Sequence, residues 1–348
     1  PSTMATPKAI TFATSYRDFA TTLNKRVNEY FNARNISRHA NAEMVIKTFV
    51  VFSLYLIPYS LIVTSVVTHV GWLIILVSIM SLGLAGIGLS VMHDANHGAY
   101  SGKAWLNTVI GYSLNLIGAS VFNWKMQHNV LHHSYTNIHN EDEDIDSRGV
   151  LRMSPYSKWT FMHRYQFIYA WFLYGFMTIV WMITKDFNRL ARYQRSGLMK
   201  KHEASVIREW VILVATKVFY VGYIFVIPVL VTSLLWWQIL IGFFIMHYLG
   251  GFMMAIVFQP AHVIEGTVFP VLDENRALQH NWAVHQLLTT TNYSTGSRWF
   301  SWCVGGLNFQ IEHHLFPSIC HVHYRKISHI VRETAHEFGL PYKSVRTF

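Results

Sequence analysis

The chain is poor in the residues that build small cross-linked scaffolds: its 348 positions hold two cysteines, Cys303 and Cys320, and no CxxC pair. Neither a disulfide framework nor a zinc ribbon can be made from them, and a cytoplasmic redox environment is the natural setting. Charge is scarce too. Asp, Glu, Lys and Arg make up 13% of the chain and hydrophobic residues 52%, whereas soluble domains carry about 25% charged residues. Most of this protein is therefore solvated by something other than water. The formal charge of +10 does not point to nucleic acid, because Lys and Arg fall between apolar runs and form no basic face with a binding motif. No Pro-rich or Gly-rich linker, low-complexity tract or internal repeat interrupts the sequence, and a single domain over residues 1–348 is the simplest organisation.

Residues 1–43 are polar and basic and lack the apolar core of a secretory signal. An amphipathic helix is expected to start near Ser15, with Ser15 and Asp18 forming a capped turn. Four apolar runs of spanning length, roughly 20 residues each, lie at about 44–68, 70–92, 211–233 and 236–258. They read as two hairpins. The loops inside the hairpins, Thr68-His69-Val70-Gly71 and Thr232-Ser233-Leu234, hold no Lys or Arg. Basic residues crowd the other side: Lys25, Arg26, Arg34 and Arg38 before the first hairpin, Lys185 through Arg208 before the second, and Arg276, Arg298, Arg325 and Lys326 after it. The positive-inside rule then places both termini and the central region in the cytoplasm of a cell-membrane protein. Two further apolar stretches, 105–122 and 165–183, are read as interfacial or re-entrant, because a single extra crossing would separate the later histidines from the earlier ones. The fold class expected is all-α integral membrane, with interfacial helices and a cytoplasmic helical cap.

Histidine is the residue in excess, with 20 copies. Three tight clusters stand out. His93 and His97 follow the second apolar run at a spacing of i, i+4, which puts them on one helix face about 5–6 Å apart at Cβ. His128 and His132 repeat that spacing, while His133 is turned about 100° away and is free to reach a second metal. His313 and His314 form the third cluster, with Gln310 a turn earlier, placed to orient one of them or to bind through water; Gln310 is the candidate catalytic residue. One such pair is commonplace as an ordinary polar pair, but three beside the same ends of predicted spans call for a metal site. Many imidazoles with few carboxylates suit iron, zinc or copper over magnesium or calcium. Seven box histidines exceed what one ion can use, so two metals are implied. A carboxylate-bridged site of the soluble kind would need paired Glu-x-x-His motifs, and only Glu333 to His336 has that spacing.

In order and spacing these clusters resemble the three histidine boxes of the membrane fatty acid desaturases. Gln310, in place of the first His of the third box, is similar to the front-end members. The resemblance is closer still to cyanobacterial-type acyl-lipid Δ6 desaturases, through His93-Asp94-Ala95-Asn96-His97-Gly98-Ala99-Tyr100-Ser101, through Leu131-His132-His133-Ser134-Tyr135-Thr136-Asn137-Ile138, through Gly305-Gly306-Leu307-Asn308, and from His313-His314 to His323-Tyr324. It covers most of residues 85–348. The family adds a histidine near the end of the last span, and His262 occupies the matching position.

The resemblance implies two iron ions (Fe2+) held by His93, His97, His128, His132, His133, His262, His313 and His314. With O2 and two electrons they would introduce a cis double bond into a long-chain, eighteen-carbon-type acyl group, carried by a lipid or by CoA. Δ6 regiochemistry is implied by resemblance alone. Many front-end desaturases carry a fused cytochrome with a His-Pro-Gly-Gly motif, and this chain has no His-Pro, so a separate donor is expected, ferredoxin or a cytochrome b5 type. Asp94, Asn96, Asn129 and Glu312 are the nearby candidates for fixing the second ring nitrogens. The acidic run Glu141 to Asp146 offers two readings, carboxylates for the ring nitrogens or to balance metal charge, and a solvated turn, with the solvated turn expected for most of it; the basic residues from Lys185 to Arg208 read as topology, with donor docking as a further use. Trp171, Tyr174, Phe176 and Trp181 are candidates for lining an acyl tunnel. His69, His247, His285, His321 and His323 are left outside the site. The rival readings are a di-iron lipid hydroxylase or ketolase, a receptor or zinc hydrolase with one metal, and a metal transporter, which would need its ligands within the spans.

Overall fold

The computed structural model describes residues 10–146 and 149–347, so the first nine residues of the polar N-terminal segment lie outside the described residues. The chain is mostly helical. In order it forms α1 (Arg17–Ala33), α2 (Ala42–Val63), α3 (Val70–Asn96), α4 (Ala104–Gly111), α5 (121–135), α6 (Phe161–Tyr174), α7 (Met177–Arg195), α8 (Val206–Val231), α9 (Trp236–His262), α10 (Trp282–Thr289), α11 (Gln310–Leu315) and α12 (Tyr324–Glu337), with shorter turns between them. Two small parallel pairings tie distant segments together. β1 (Thr11–Phe12) meets β2 (Ala277–Leu278), and β3 (Asn292–Tyr293) meets β4 (Ser344–Val345).

The four apolar runs become α2, α3, α8 and α9, each long and apolar enough to cross a membrane. Side chains such as Phe49, Leu230 and Val218 are largely exposed on them, which in this setting means exposed to lipid. Together they make the chain a membrane protein. The Asn41 side chain caps α2 by accepting from Met44 N at 3.0 Å, and Ser205 caps α8, which begins at Val206 and not at the expected 211. The second and fourth helices run four residues past their apolar stretches, to Asn96 and His262, carrying His93 and His262 within them. Their final turns pack against other parts of the chain, with His93, Asp94, Asn96 and His262 buried, so polar residues continue the helix without facing lipid.

α3 packs along both α2 and α9. Just before His93 it widens into a π-helical stretch, Ile87–Val91, a local irregularity common at functional positions. Gly305, at φ +65, presses on this stretch so closely that a Cβ would collide with the Leu89 carbonyl. Only glycine satisfies both the backbone angle and the contact, and the contact docks the loop preceding α11 on α3. The 105–122 stretch forms α4 and shorter turns. The 165–183 stretch divides between α6 and α7, bent by 70°, where Gly175 and Gly251 allow α9 to approach: a Cβ on Gly251 would lie 2.8 Å from the Gly175 carbonyl.

A second apolar core sits apart from the long helices. Phe19, Leu23, Val27 and Phe31 line one face of α1 at helical spacing and pack with Ile327, Val331 and Ala335 of α12 and with residues of α10 and α11. Arg26 adds a two-pronged bond to Glu337 at 2.9 and 2.7 Å. The expected cap is absent: α1 starts at Arg17 after Tyr16 in a left-handed conformation with no side-chain cap. The Ser15 carbonyl instead accepts from Asn281 Nδ2 at 2.6 Å, so a tertiary bond sets the start of the helix.

Candidate metal centre

All eight histidines singled out from the sequence converge where the ends of α3 and α9 meet α5 and α11. His93, His97, His128 and His313 each offer a ring nitrogen within 4.8 Å of the others, and His132, His262 and His314 form a second such group. His133 lies between them, 3.3 Å from His128 and 3.0 Å from His313 by their Nε2 atoms, and its ring stacks on His314 at 4.3 Å. The π-helical stretch Lys125–His132 of α5 lets His128, His132 and His133 all project into the same space. Trp124 lies against His128, His93 and His97, with ring centres 4.6, 5.6 and 5.4 Å away, and closes that side.

The outward ring nitrogens are held. His128 Nδ1 meets Asp144 Oδ2 at 3.0 Å, and His132 Nδ1 meets Asp142 Oδ1 at 2.9 Å. His313 Nδ1 meets the Tyr324 hydroxyl at 3.2 Å, His314 Nδ1 meets Gln286 Oε1 at 2.8 Å, and His262 Nδ1 meets the Thr289 carbonyl at 3.3 Å. Fixing Nδ1 in this way sets the tautomer and turns Nε2 inward. Several ring nitrogens have no hydrogen-bond partner although buried: Nε2 of His97 and His314, Nδ1 of His133, and both ring nitrogens of His93. Unmet buried polar atoms are costly, so so many in one place fit a cation that takes their lone pairs.

Electrostatics favour the same state. His97, His133, His313 and His314 lie well below the usual imidazole value, first through burial and then through repulsion by neighbouring rings. Burial also takes His128 down to about 4 against the pull of Asp144. His132 moves the other way, to about 9, because Asp142 and Asp144 together outweigh its burial. Neutral imidazoles with free lone pairs are the form that binds metal.

The acidic run departs from its chief expectation as a solvated turn and takes its other expected role, with two of its carboxylates on histidine ring nitrogens. Asp142 is buried and Asp144 is mostly so, and both face histidines. Glu143 turns to Arg189, Arg192 and Tyr193, and Glu141 to Arg276 at 2.6 Å. Among the candidates named for the ring nitrogens, Asn96 donates to the Gly111 carbonyl at 3.2 Å, Asn129 to the Asn96 carbonyl at 2.9 Å, and Glu312 accepts from Asn292 and Tyr342. These three therefore hold backbone and neighbouring elements. Glu312 is buried and pushed up to about 7 by desolvation, against the two bonds it accepts.

Asp94 faces both ways, with its Oδ1 3.7 Å from His93 Nδ1. Its Oδ2 accepts from His321, at 3.1 Å from the backbone nitrogen and 2.7 Å from Nδ1, and His321 Nε2 lies 2.7 Å from Lys47 Nζ. Lys47 is 1% exposed within α2. A lysine within an apolar run was the sequence signal for this network, which reasoning box by box passed over. Gln286 and Tyr324 carried no local motif. His69 caps the far end of α3, accepting from Gly71 N at 3.2 Å, and His247 sits between Tyr220 and Thr178 at 2.5 and 3.1 Å. His285 packs edge-on to Phe12, and His323 Nε2 meets the His39 carbonyl at 3.0 Å.

A cavity of about 100 Å³ opens on the histidines, lined by His128, His132, His262, His313 and Gln310 and walled by Trp124, Trp181, Met177 and Phe258. Gln310 is buried beside His313. Apolar walls beside a cluster of metal-competent rings suit a hydrocarbon held dry against a metal.

The sequence profile of the fatty acid desaturases matches residues 70–346. A sn-1 linoleoyl-lipid 6-desaturase of Arthrospira platensis is 37% identical over 350 residues, covering 99% of this chain and 92% of the relative. One of the same description from Synechocystis sp. is 34% identical, over 99% and 95% of the two chains. An acyl-lipid (8-3)-desaturase of Physcomitrium patens is 35% identical, over 95% of this chain and 68% of its own.

Proposed function

This chain belongs to the fatty acid desaturase family, and from that premise we propose that it introduces a cis double bond into a lipid-linked, eighteen-carbon-type acyl chain, at Δ6, using O2 and a centre of two irons. The observation that carries the proposal is the meeting of eight imidazoles, seven buried and His97 half-buried, several with unpartnered nitrogens, at a cavity with apolar walls. The printed descriptions of the two cyanobacterial relatives support the lipid-linked substrate and its Δ6 position.

His93, His97, His128 and His313 would hold one iron and His132, His262 and His314 the other, with His133 between them. Bound there, the irons supply the oxidising chemistry with O2 that an unactivated methylene demands, since no side-chain base can remove so weakly acidic a hydrogen. The balance is one O2, two electrons and two protons, with two hydrogens leaving adjacent carbons and two waters formed. The chain's own residues do the rest. Asp142, Asp144, Gln286, Tyr324 and the Thr289 carbonyl fix the rings. Trp124, Trp181, Met177 and Phe258 exclude water and hold the methylenes. Gln310, at the cavity wall, is a candidate to orient His313 or a bound water.

In this reading residues 1–348 act as one domain, the four spans form two hairpins, and the termini and the metal site face the cytoplasm as a helical cap. The loops without Lys or Arg at the opposite end support this orientation. Electrons come from a separate donor, with ferredoxin favoured over a cytochrome b5 type. The test is lipid profiling by gas chromatography and mass spectrometry of a host expressing this chain with a ferredoxin system and fed saturated, mono- and diunsaturated eighteen-carbon acids. A new double bond that disappears in His132→Ala supports the proposal and gives its position, whereas a hydroxylated product would transfer the assignment to a di-iron hydroxylase.

A further inference from the structure

A second cavity, of about 480 Å³, lies beside the one at the histidines. The two share Gln259 and Val263: Gln259 lies in the last turn of α9, and Val263, just past its end, donates its backbone N–H to the Gln259 carbonyl at 3.0 Å. They are therefore consecutive chambers with a common wall, the outer one wide and the inner one narrow. The outer chamber is closed by α6 and the segment before it. Its apolar lining includes Trp159, Phe167, Trp171 and the small, buried Ala170, and its polar end is Arg152 with Gln166.

The outside of this segment is unlike the surface of a soluble protein. Trp159 is 56%, Phe167 72% and Trp171 53% exposed, and Phe161, Met162, Ile168 and Phe172 are exposed with them. Aromatic and aliphatic side chains crowded around a short helix place it at the interface of a bilayer. Arg152 is fixed there by a reciprocal pair of bonds: its N donates to Gln166 Oε1 at 2.6 Å, and Gln166 Nε2 donates to its carbonyl at 3.1 Å. Its guanidinium donates to the carbonyls of Ser157, at 3.0 Å, and Pro155. A guanidinium carries five N–H donors, so two carbonyls leave capacity for an ester or phosphate oxygen.

We propose that this outer chamber is the lateral mouth of the site: a glycerolipid of the surrounding bilayer slides its acyl chain between α6 and α9, past Gln259 and Val263, while Arg152 holds its ester and headgroup oxygens. The inference rests on the desaturase reading and specifies where its substrate enters. The chemistry favours a lipid over acyl-CoA. The chamber opens among bilayer-facing aromatics, and one arginine is a poor match for the several phosphate charges of CoA.

The test uses the full chain in host membranes and, purified, in phosphatidylcholine vesicles. Ala170→Trp fills the chamber without touching the histidines, and Ile168→Trp adds the same bulk on the exposed side of α6, outside the chamber. The expected result is at least a tenfold loss of double-bond formation in Ala170→Trp, with metal content unchanged and Ile168→Trp near wild type. Independently of activity, a phosphatidylcholine carrying a photoactivatable diazirine near its acyl carboxyl should crosslink wild type within residues 152–174, and Ala170→Trp should lose that crosslink. Crosslinks concentrated instead at the separate apolar cavity between Tyr59 and Trp237, or an Ala170→Trp protein as active as wild type, would overturn the mouth. A wild-type protein that makes no double bond but crosslinks within 152–174 would sink the desaturase reading and leave the mouth standing.

Discussion

The second and third histidine boxes fix their rings by opposite means. His128 and His132 are held by carboxylates, Asp144 and Asp142, whereas His313 and His314 are held by a phenol and an amide, Tyr324 and Gln286. A carboxylate raises the basicity of the ring it holds and brings negative charge toward a cationic centre, while a neutral partner only orients. The pull is strongest at His132, which Asp142 and Asp144 together draw up to about 9, whereas burial keeps His128 down at about 4 against Asp144 alone, and burial with neighbouring rings keeps His314 well below the usual imidazole value. The centre is thus electrostatically lopsided, with its compensating charge supplied from the acidic run on one side.

The comparison yields a graded series. The ligands come first: His132→Ala or His313→Ala should reduce turnover below detection while the protein stays inserted in the membrane, and metal analysis should find each short of metal. Full activity in either variant would remove that residue from the centre and leave its box without a role. Next comes Asp142→Asn. Exchanging a charged acceptor for a neutral one at His132 should cost about 10–100-fold in metal affinity, read as metal retained after dialysis against a chelator. The matching change across the centre, Gln286→Leu, removes three neutral bonds, to His314 Nδ1, to the Thr136 hydroxyl and to the His133 carbonyl; only the first holds a ring nitrogen, and at about 1 kcal/mol its loss should lower metal affinity about fivefold. Equal losses from these two variants would mean that orientation alone matters and the lopsidedness has no consequence.

The boxes and the spans were legible in the sequence because each is a local signal. An i, i+4 pair or a run of about 20 apolar residues announces itself in a short window. What holds the rings was not legible. Asp142 is 10 residues from His132, but Gln286 is 28 from His314, 150 from Thr136 and 153 from His133, its three partners, so nothing in a short window links Gln286 to the rings. The acidic run was half legible: its place after the second box offered carboxylates for the rings, but such a cluster is usually solvated, and only the fold shows that Asp142 and Asp144 point inward while Glu141 and Glu143 take arginines. Ser15 failed as a cap because the start of α1 is set by Asn281, 266 residues away. The extension of α3 and α9 through His93 and His262 was hidden because hydropathy ends a helix where polarity begins, while burial among other histidines lets it continue.

The smallest effect is expected at the edge of the acidic run. Arg276 and Glu141 pair at 2.6 Å with side chains 31% and 26% exposed, and a pair this open to solvent is worth about 0–1 kcal/mol. Arg276→Ala should therefore shift thermal stability little and leave turnover within about twofold of wild type. Asp142 is positioned without it: its carboxylate also accepts from the backbone nitrogens of Asn137 and Asp144 at 2.8 and 2.9 Å. If Arg276→Ala instead weakened metal retention as much as Asp142→Asn, the carboxylates would be held in place by the outer ion pair and not by their own turn. The negative side of the centre would then depend on a surface contact that salt can screen, and raising ionic strength should weaken wild-type metal retention in the same way.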